Sequence, residues 1–431
     1  MADPVAHNCY DVVIIGAGAA GLLAATRAAQ RGRRTLLLEK NPRPGVKILM
    51  SGGTRCNLTH AVDRRGIVEA FGRQGPFLHS ALAALPPEEL IALVEAEGVK
   101  TKVEPGGKVF PVSDRATDVL AALMAICRRS GAELRLNVAV GGILRSTTGG
   151  GYMIETPHGA IEAASVVIAV GGRSYPKCGT CGDGYAWAVS LGHRLAPLHP
   201  ALTPLTSPAM WVKQLSGVTI EDALVRLENK SDAPASPRKR GKALDELSRR
   251  GAMLFTHFGL SGPAPMDLSR HVSASGGDDD AAKWMALCDF APTIPRERLL
   301  DRFTAAASET GKRSLAALLA DFVPRRLADA LLVQSDLPGD RRLAEASRSD
   351  RQVLVAALKE QPIPIDGTRG YQKAEVTAGG VLLDEVDSRD MQSQLVPGLY
   401  FAGEILDLDG PIGGYNFQAA FSTGWLAGEN A

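Results

Sequence analysis

The fold is decided near the start of the chain by the segment Val12-Val13-Ile14-Ile15-Gly16-Ala17-Gly18-Ala19-Ala20-Gly21. Its first four residues are a continuous β-branched run, which is typical of a parallel strand buried on both faces. Leu22 to Arg31 is alanine-rich with helical periodicity, Gly32 ends this helix, and Thr35 to Leu38 predicts the next strand. Strand, turn, helix and strand make a βαβ unit of roughly 30 residues. We therefore predict an α/β chain with a Rossmann-like domain.

The three glycines of this segment have the spacing of a dinucleotide-binding turn. Gly16 allows a tight turn at the strand end, Gly18 lets the backbone approach a pyrophosphate, and Gly21 allows close helix–strand packing. The next helix directs free N–H groups and partial positive charge at the phosphates. Glu39 lies at about the 20-residue distance expected for a ribose diol, and an acidic residue there disfavours a 2′-phosphate. The turn predicts FAD or NAD rather than NADP; the alternative is a glycine-rich turn in an ordinary α/β domain.

The other end of the chain distinguishes FAD from NAD. Pro397 to Phe401 predicts a strand that runs into Gly403 and Glu404, and flavoproteins of the two-dinucleotide type use such a late strand for ribityl and phosphate contacts. Gly413 and Gly414 then precede a terminal helix, predicted over 417–429, whose N-terminus would stabilise negative charge on a reduced flavin. This combination favours FAD.

Together with the N-terminal turn, four blocks carry a resemblance to one family. They are Lys47–Thr59, Gly179–Tyr185, Leu254–Pro263 and the long run Glu375–Gly424. The chain resembles the BaiN/YhiN-type FAD-dependent oxidoreductases, also called aminoacetone-oxidase-family flavoproteins. The blocks span nearly the whole chain, and the last is highly specific. Thr54 is a departure, because the family usually has a third glycine there.

The resemblance implies a Rossmann-like FAD-binding domain made from both chain ends, with an inserted β-barrel-like domain that carries a helical subdomain. This arrangement matches shifts in composition at about Gly192, Pro295 and Asp366, where, for example, short alternating strands such as Leu224–Leu227 and Trp284–Leu287 give way to a helical pattern after Pro295. The predicted parts are therefore residues 1–192 and 366–431 for the FAD-binding domain, 193–295 for the β-rich insertion and 296–365 for the helical subdomain.

The resemblance also implies that Lys47 to Asn57 lies along the FAD. Ser51, Gly52 and Asn57 are then expected near the flavin or its ribityl chain. The residues predicted to bind the cofactor are Gly16, Gly18, Ala19, Ala20, Gly21, Glu39, Lys40, Lys47, Ser51, Gly52, Gly53, Cys56, Asn57, Val138, Ala169, Gly171, Gly403, Glu404, Asp407, Gly413, Gly414 and Asn416.

Two side chains are candidate proton donors. His257 lies in a block of the insertion that should face the flavin, and Tyr175 follows Gly171-Gly172-Arg173-Ser174. The alternative for His257 is a structural histidine bonded to backbone. No spacing of His, Cys, Asp and Glu suggests a metal site.

Cys178 and Cys181 have the C-x-x-C spacing of disulfide reductases. Such enzymes carry a second dinucleotide fingerprint for NADPH, and no second G-x-G-x-x-G follows a strand in this sequence. In the resembling family the corresponding block is Gly-Thr-x-Gly-Asp-Gly, without cysteines. A flavin-linked disulfide reductase is therefore kept only as an alternative.

The predicted function is an oxidoreductase in which NADH or NADPH binds transiently and hydride passes through FAD to an activated C=C bond. The resemblance supports two substrates, a steroid-like enone and a uracil base in ribosomal RNA. The basic cluster Arg238-Lys239-Arg240 with Lys242 would anchor RNA, or is a solvated loop. A non-catalytic FAD-binding or RNA-binding protein is the alternative from another class.

Composition sets the remaining bounds. The chain has 431 residues, with 48 Lys and Arg against 47 Asp and Glu, so it has no general attraction to nucleic acid or anionic membranes. It opens with no secretory signal and contains no apolar run of transmembrane length. Six cysteines in such a chain do not form a disulfide scaffold. These features predict a soluble cytoplasmic protein without a membrane partner; they predict no oligomeric state.

Overall fold

The two ends of the chain fold together in the structure, a computed structural model that describes residues 9–146, 150–229, 246–275 and 284–431. One compact unit comprises Met1–Pro200 and Glu375–Ala431, and the other comprises Ala201–Ala374. The predicted basic cluster Arg238–Lys242 lies outside the described residues. Within the described ranges no individual helix has the length and apolar composition of a membrane span, and only the bent pair 72–84 with 87–95 passes that test jointly.

The first unit is built on a sheet of mainly parallel strands. The strands of this unit are β1 (Cys9–Ile15), β2 (Thr35–Leu38), β3 (Thr59–His60), β4 (Thr101–Val103), β5 (Lys108–Pro111), β6 (Glu133–Arg135), β7 (Gly142–Arg145), β8 (Tyr152–Thr156), β9 (Gly159–Ile168), β10 (Leu195–Ala201), β18 (Val376–Val381) and β19 (Leu399–Phe401). The order in the main sheet is β6-β2-β1-β9-β8-β7, with β19 also paired to β9. Strands β1, β2, β6, β9 and β19 run parallel, whereas β7 and β8 are antiparallel additions.

Helices cover this sheet, and the last helix of the chain packs on the first. The helices of the unit are α1 (Ala19–Gln30), α2 (Val46–Thr54), α3 (Arg64–Ala70), α4 (His79–Ala84), α5 (Pro87–Glu95), α6 (Ala116–Arg129), α7 (Asp183–Ser190) and α14 (Tyr415–Asn430). Short 3-10 helices occupy Gly72–Leu78, Pro176–Cys178, Leu383–Glu385 and Gly403–Ile405. The crossing of α1 and α14 is a backbone contact: a Cβ atom on Gly424 would lie 2.2 Å from the carbonyl oxygen of Ala20.

The second unit contains a sheet that closes on itself. Its strands are β11 (Leu205–Thr206), β12 (Thr219–Asn229), β13 (Ser248–Thr256), β14 (Gly259–Ser261), β15 (Trp284–Asp289), β16 (Gln361–Ile365) and β17 (Gly367–Thr368). Their order is β16-β15-β12-β13-β14-β11-β17, and only Asp366 separates β16 from β17, so one continuous segment pairs with both ends of the sheet. This is the predicted β-barrel-like insertion.

In the described part of the second unit, most helices lie in the stretch with the predicted helical pattern. They are α8 (Met210–Gln214), α9 (Pro263–Ala274), α10 (Arg296–Glu309), α11 (Leu315–Leu319), α12 (Arg325–Gln334) and α13 (Arg348–Lys359), with a 3-10 helix at Leu343–Glu345. Helix α9 was not predicted, since the alternating sequence pattern between His193 and Pro295 predicts short strands there. Pro263 begins it, and Ala264, Leu268 and Val272 form its buried face at four-residue spacing.

The structure divides the chain a few residues later than the predicted boundaries at 192 and 366. Strand β10 pairs with β18, so residues 195–200 stay with the first unit. At the other boundary, β17 pairs with β11 and the Arg369 N–H donates to the Pro204 carbonyl, which holds this segment in the second unit. Strand pairing decides both limits. The further division of the insertion at 295 stays a prediction.

We expect the stability of the second unit to depend on pH through His271 of α9. Burial, assisted by Arg270 and Arg249, lowers the pKa of its imidazole to about 4, and its Nε2 finds no hydrogen-bond partner among the described residues. An unfolded histidine titrates near a pKa of about 6.5. Below that pH the unfolded chain binds a proton at this histidine, whereas the folded chain keeps the imidazole neutral. The contribution of His271 to the free energy of unfolding is therefore fully present above about pH 6.5 and is lost as the pH falls towards about 4.

We expect His271→Leu to remove this contribution. Between pH 7.5 and 4.5, the free energy of unfolding of the parent should fall by about 1–3 kcal/mol more than that of the variant. Denaturant titrations at a series of pH values measure this difference. Parallel curves for parent and variant would contradict the prediction.

Candidate functional site

Four of the predicted cofactor-binding residues follow the C-terminal ends of neighbouring parallel strands. Gly16 follows β1, Glu39 follows β2, Ala169 follows β9, and Gly403 comes two residues after β19. In open α/β sheets, ligands bind in the crevice outside these strand ends. Sheet order therefore brings residues from the first 40 and the last 30 positions of the chain to one edge.

The glycines of the turn are there for two different reasons, close backbone packing and space for a ligand. Gly16 has φ +100°, and a Cβ atom there would lie 2.6 Å from the Ala169 carbonyl oxygen; one on Gly21 would lie 1.8 Å from the Gly16 carbonyl oxygen. The fold itself thus requires Gly16 and Gly21. A Cβ atom on Gly18 would meet nothing within 4 Å, and Gly18 caps α1 without a side-chain hydrogen bond. Space and free N–H groups remain there for an anion.

Glu39 is buried, and its carboxylate binds the backbone of the glycine turn and that of the segment just after β2. Its Oε2 accepts from the Ala17 N–H at 2.9 Å and its Oε1 accepts from the Asn41 N–H at 2.9 Å. Its own carbonyl accepts from the Val138 N–H at 3.0 Å. Each carboxylate oxygen has a second lone pair, so Glu39 can also accept from ribose hydroxyls.

The segment from Lys47 to Asn57 is bent into a left-handed turn. Gly52, Gly53 and Thr54 have φ of 55°, 68° and 70°, and Cys56 has φ 63°. Thr54, the departure from the family pattern, therefore adopts a conformation that glycine takes at lower cost. The bend leads into Asn57, which is only 9% exposed and whose Oδ1 accepts no hydrogen bond from the described part of the chain.

The unpartnered oxygen of Asn57 tests whether the site fits FAD. A buried acceptor without a donor is destabilising, so native structures supply it a partner. FAD carries ring N–H and ribityl O–H groups that would serve as donors. Uncapped α1, buried Glu39 and the open space at Gly18 suit the phosphate and ribose parts of the same molecule. The residues present therefore fit FAD.

Lys47 and Glu404 form an ion pair, although 357 positions separate them. Lys47 Nζ also donates to Ser174 Oγ at 2.6 Å, and Ser174 Oγ donates to Glu404 Oε1 at 2.6 Å. The Thr377 N–H donates to the same oxygen at 3.0 Å. Ser174 and Thr377 were not predicted as site residues. The only signals were the position of Ser174 after Gly171-Gly172-Arg173 and that of Thr377 inside the block Glu375–Gly424.

The start of α14 is also uncapped by a side chain. Gly413 and Gly414 have φ of 138° and 98°, and Gly414 caps the helix. The Asn416 amide accepts from the Gly410 N–H at 2.8 Å and donates to the Gly410 carbonyl at 2.9 Å, so this predicted cofactor ligand holds the preceding loop.

Asp407 accepts from Gln74 at 3.1 Å, and burial together with Asp409 raises the pKa of the Asp407 carboxyl.

Among the other predicted residues, Lys40 pairs with Asp183 and Ser51 Oγ donates to the Ile48 carbonyl. Tyr175 belongs to the first unit and has the left-handed conformation φ 54°, ψ 61° that few non-glycine residues adopt. His257 lies in the second unit, exposed in the turn between β13 and β14, with its ring edge-on to Phe258. The structure therefore does not bring the two candidate proton donors into one unit.

Cys178 and Cys181 differ in environment. Cys178 is buried, and burial raises the pKa of its thiol, whereas Cys181 is exposed. A thiol held in its protonated form is a poor nucleophile. No group of three or more His, Cys, Asp or Glu side chains in the described ranges is placed to hold a metal ion.

Comparison with known proteins gives matches along nearly the whole chain. The family model described as "HI0933-like protein Rossmann domain" matches residues 10–430. The ribosomal RNA dihydrouridine synthase of Escherichia coli (strain K12) is 33% identical over 425 residues, which are 98% of this chain and 98% of that protein. The 3-dehydro-bile acid delta(4,6)-reductase of Clostridium scindens is 30% identical over 420 residues, 97% and 98% of the two chains. The ribosomal RNA dihydrouridine synthase of Haemophilus influenzae is 28% identical over 419 residues, 96% of each.

Proposed function

Since this chain belongs to the HI0933-like Rossmann-domain family of FAD-dependent oxidoreductases, we propose that it reduces a C=C bond conjugated to a carbonyl, with electrons from NADH or NADPH. Membership confirms the predicted BaiN/YhiN-type resemblance and the Rossmann-like fold. The nicotinamide donor and the substrate are our proposals.

The substrate proposal rests on the names of the two relatives, because both names describe the reduction of a C=C bond conjugated to a carbonyl. A dihydrouridine is a uridine whose uracil C=C bond, next to a ring carbonyl, has been reduced, and a 3-dehydro-bile acid delta(4,6)-reductase acts on ring C=C bonds conjugated to a 3-oxo group. We place the uracil base of ribosomal RNA first, since the relative with that name is 33% identical along 98% of the chain. A steroid-like enone is the second candidate, supported by the 30% identical reductase.

The residues of the first unit would hold FAD, which supplies two-electron hydride chemistry when bound. Gly16 to Gly21 and the N-terminus of α1 would bind its pyrophosphate, Glu39 its ribose, and Asn57 a donor group of the flavin or ribityl chain. Lys47, paired with Glu404, anchors the segment that carries Asn57 to the 3-10 helix Gly403–Ile405 that follows β19. We propose the remaining predicted cofactor ligands as well, on the grounds of the family resemblance.

Reduction of the substrate needs a hydride on one carbon and a proton on its neighbour, while the nicotinamide is oxidised. Tyr175 and His257 are our candidates for the group that delivers the proton. The left-handed backbone at Tyr175 is the observation in its favour, because strained backbone concentrates at functional sites.

Anaerobic mixing of the purified FAD-loaded protein with NADH and with NADPH tests the proposal. Either donor should bleach the flavin absorbance, and ribosomal RNA lacking the modification should restore it while one uridine gains two mass units. Restoration by a steroid enone instead would select the second substrate. A flavin that neither donor bleaches would exclude the nicotinamide-driven reaction and favour a non-catalytic FAD-binding protein.

The disulfide-reductase alternative makes an opposite prediction for Cys178→Ser/Cys181→Ser. We expect the double variant to retain nicotinamide-dependent flavin reduction and turnover within about twofold, because a buried, protonated Cys178 is poorly suited to exchange. Turnover of a small aromatic disulfide by parent, double variant and the control Cys9→Ser measures this. Disulfide turnover that disappears only in the double variant would revive the alternative.

A further inference from the structure

We propose that His60 is a positioning residue that fixes the Gly413–Gly414 turn, and with it the N-terminus of α14, for the reduced flavin. This inference rests on the proposed FAD site in the first unit. No motif singled out His60, which ends the short strand β3 three residues after Asn57.

One hydrogen bond and one ring contact tie His60 to the start of α14. Its Nδ1 lies 2.9 Å from the Gly413 carbonyl oxygen, and its ring stacks on Tyr415 with centroids 4.5 Å apart and planes at 19°. A carbonyl can only accept, so Nδ1 carries the proton and donates. The stack holds the imidazole plane while the hydrogen bond holds the Gly413 carbonyl.

The surroundings leave the ring little freedom. A Cβ atom on Gly107 would lie 2.4 Å from His60 Nε2, so the Gly107 backbone closes the other side of the imidazole. Gly107 has φ +82°, a conformation that glycine adopts readily. A Cβ atom on Gly413 would in turn lie 3.2 Å from His60 Nδ1. The backbone at Gly107 and Gly413 therefore leaves room for the imidazole ring of His60 but not for side chains at those two positions.

The preceding residue supports the same arrangement. Thr59 Oγ1 donates to Gln418 Oε1 of α14 at 2.6 Å, and a Cβ atom on Gly414 would lie 2.5 Å from the Thr59 carbonyl oxygen. Strand β3 thus touches the first turn of α14 through both of its residues. Its segment also carries the unpartnered Oδ1 of Asn57, an independent indication that a ligand lies beside it.

The orientation of one peptide group follows from the His60 hydrogen bond. In a trans peptide the C=O and N–H point in opposite directions. The Gly413 carbonyl points to His60, so the Gly414 N–H points away from it. Two consecutive glycines in the left-handed region would otherwise allow this peptide several orientations. A preorganised donor at a helix N-terminus stabilises developing negative charge.

Matched substitutions separate the donor from the ring. His60→Phe keeps an aromatic ring for Tyr415 but cannot donate, whereas His60→Asn keeps a donor near the Nδ1 position without the ring. We expect His60→Phe to lower the ratio of reduced-FAD to oxidised-FAD affinity about tenfold, the loss of one good hydrogen bond. His60→Asn should retain most of the parental ratio.

The ratio follows from the midpoint potential of the bound flavin compared with that of free FAD, and thermal unfolding reports folding separately. An unchanged potential in His60→Phe, or an equal fall in His60→Asn, would overturn the proposal. If His60→Phe does not fold, His60→Leu takes its place with the same expectation. Failure of the parent protein to bind FAD would instead refute the proposed function on which the inference rests.

Discussion

Gly18→Ala should lose FAD while the apoprotein remains folded, whereas Gly21→Ala should damage the fold itself. A methyl group on Gly18 meets nothing within 4 Å, and its φ of −86° suits alanine. The protein alone therefore tolerates it. A pyrophosphate seated on the turn does not, because the methyl occupies the approach that the second glycine keeps open. We expect FAD affinity to fall by about 100-fold, which corresponds to roughly 2.7 kcal/mol.

Gly21→Ala is the matched comparison. Its Cβ atom would lie 1.8 Å from the Gly16 carbonyl oxygen, so α1 and β1 must separate. Overpacking of this kind costs about 1–3 kcal/mol or more. Thermal unfolding of the two apoproteins and FAD titration measure both effects. Parental FAD affinity in Gly18→Ala would place the pyrophosphate elsewhere.

Gly424→Ala should destabilise the first unit strongly, although alanine is the better helix former. The substitution gains about 1 kcal/mol of helix propensity. It also drives a methyl group to 2.2 Å from the Ala20 carbonyl oxygen, and Gly428→Ala does the same at Ala24. Both oxygens are backbone atoms of α1, which no side-chain rotation can move. We expect a net loss of about 2 kcal/mol for each variant, with weaker FAD binding because α1 carries the glycine turn.

A control on the same helix isolates the backbone contact. Glu429→Ala removes the partly exposed ion pair with Arg27, and such pairs contribute about 0–1 kcal/mol. Denaturant unfolding of Gly424→Ala, Gly428→Ala and Glu429→Ala should therefore show a clear separation. If the glycine variants are as stable as the parent, α1 and α14 do not pack by backbone contact.

The first βαβ unit could be predicted from the sequence because its signals are local. The β-branched run, the three glycines and the alanine-rich helix each act within a few residues, and the predicted strand Thr35–Leu38 is the observed β2. Helix α9 escaped prediction for the converse reason. The sequence around Ala264, Leu268 and Val272 alternates in a way that predicts short strands. These three residues nevertheless form one apolar face of a helix, because packing within the second unit overrides the local pattern.

The sequence by itself determined the α/β class, the dinucleotide turn and, through its blocks, the family, because each depends on residue types at short spacing. Only the tertiary structure joined Lys47 to Glu404, added Ser174 and Thr377 to that pair, and set Gly424 against Ala20. Lys47, Ser174 and Glu404 lie on segments 127 to 357 positions apart, and no local pattern encodes which of these segments will be neighbours. The strand order β2-β1-β9-β19 decides which segments meet, because parallel strands bring their carboxyl ends to one edge of the sheet wherever they lie in the chain.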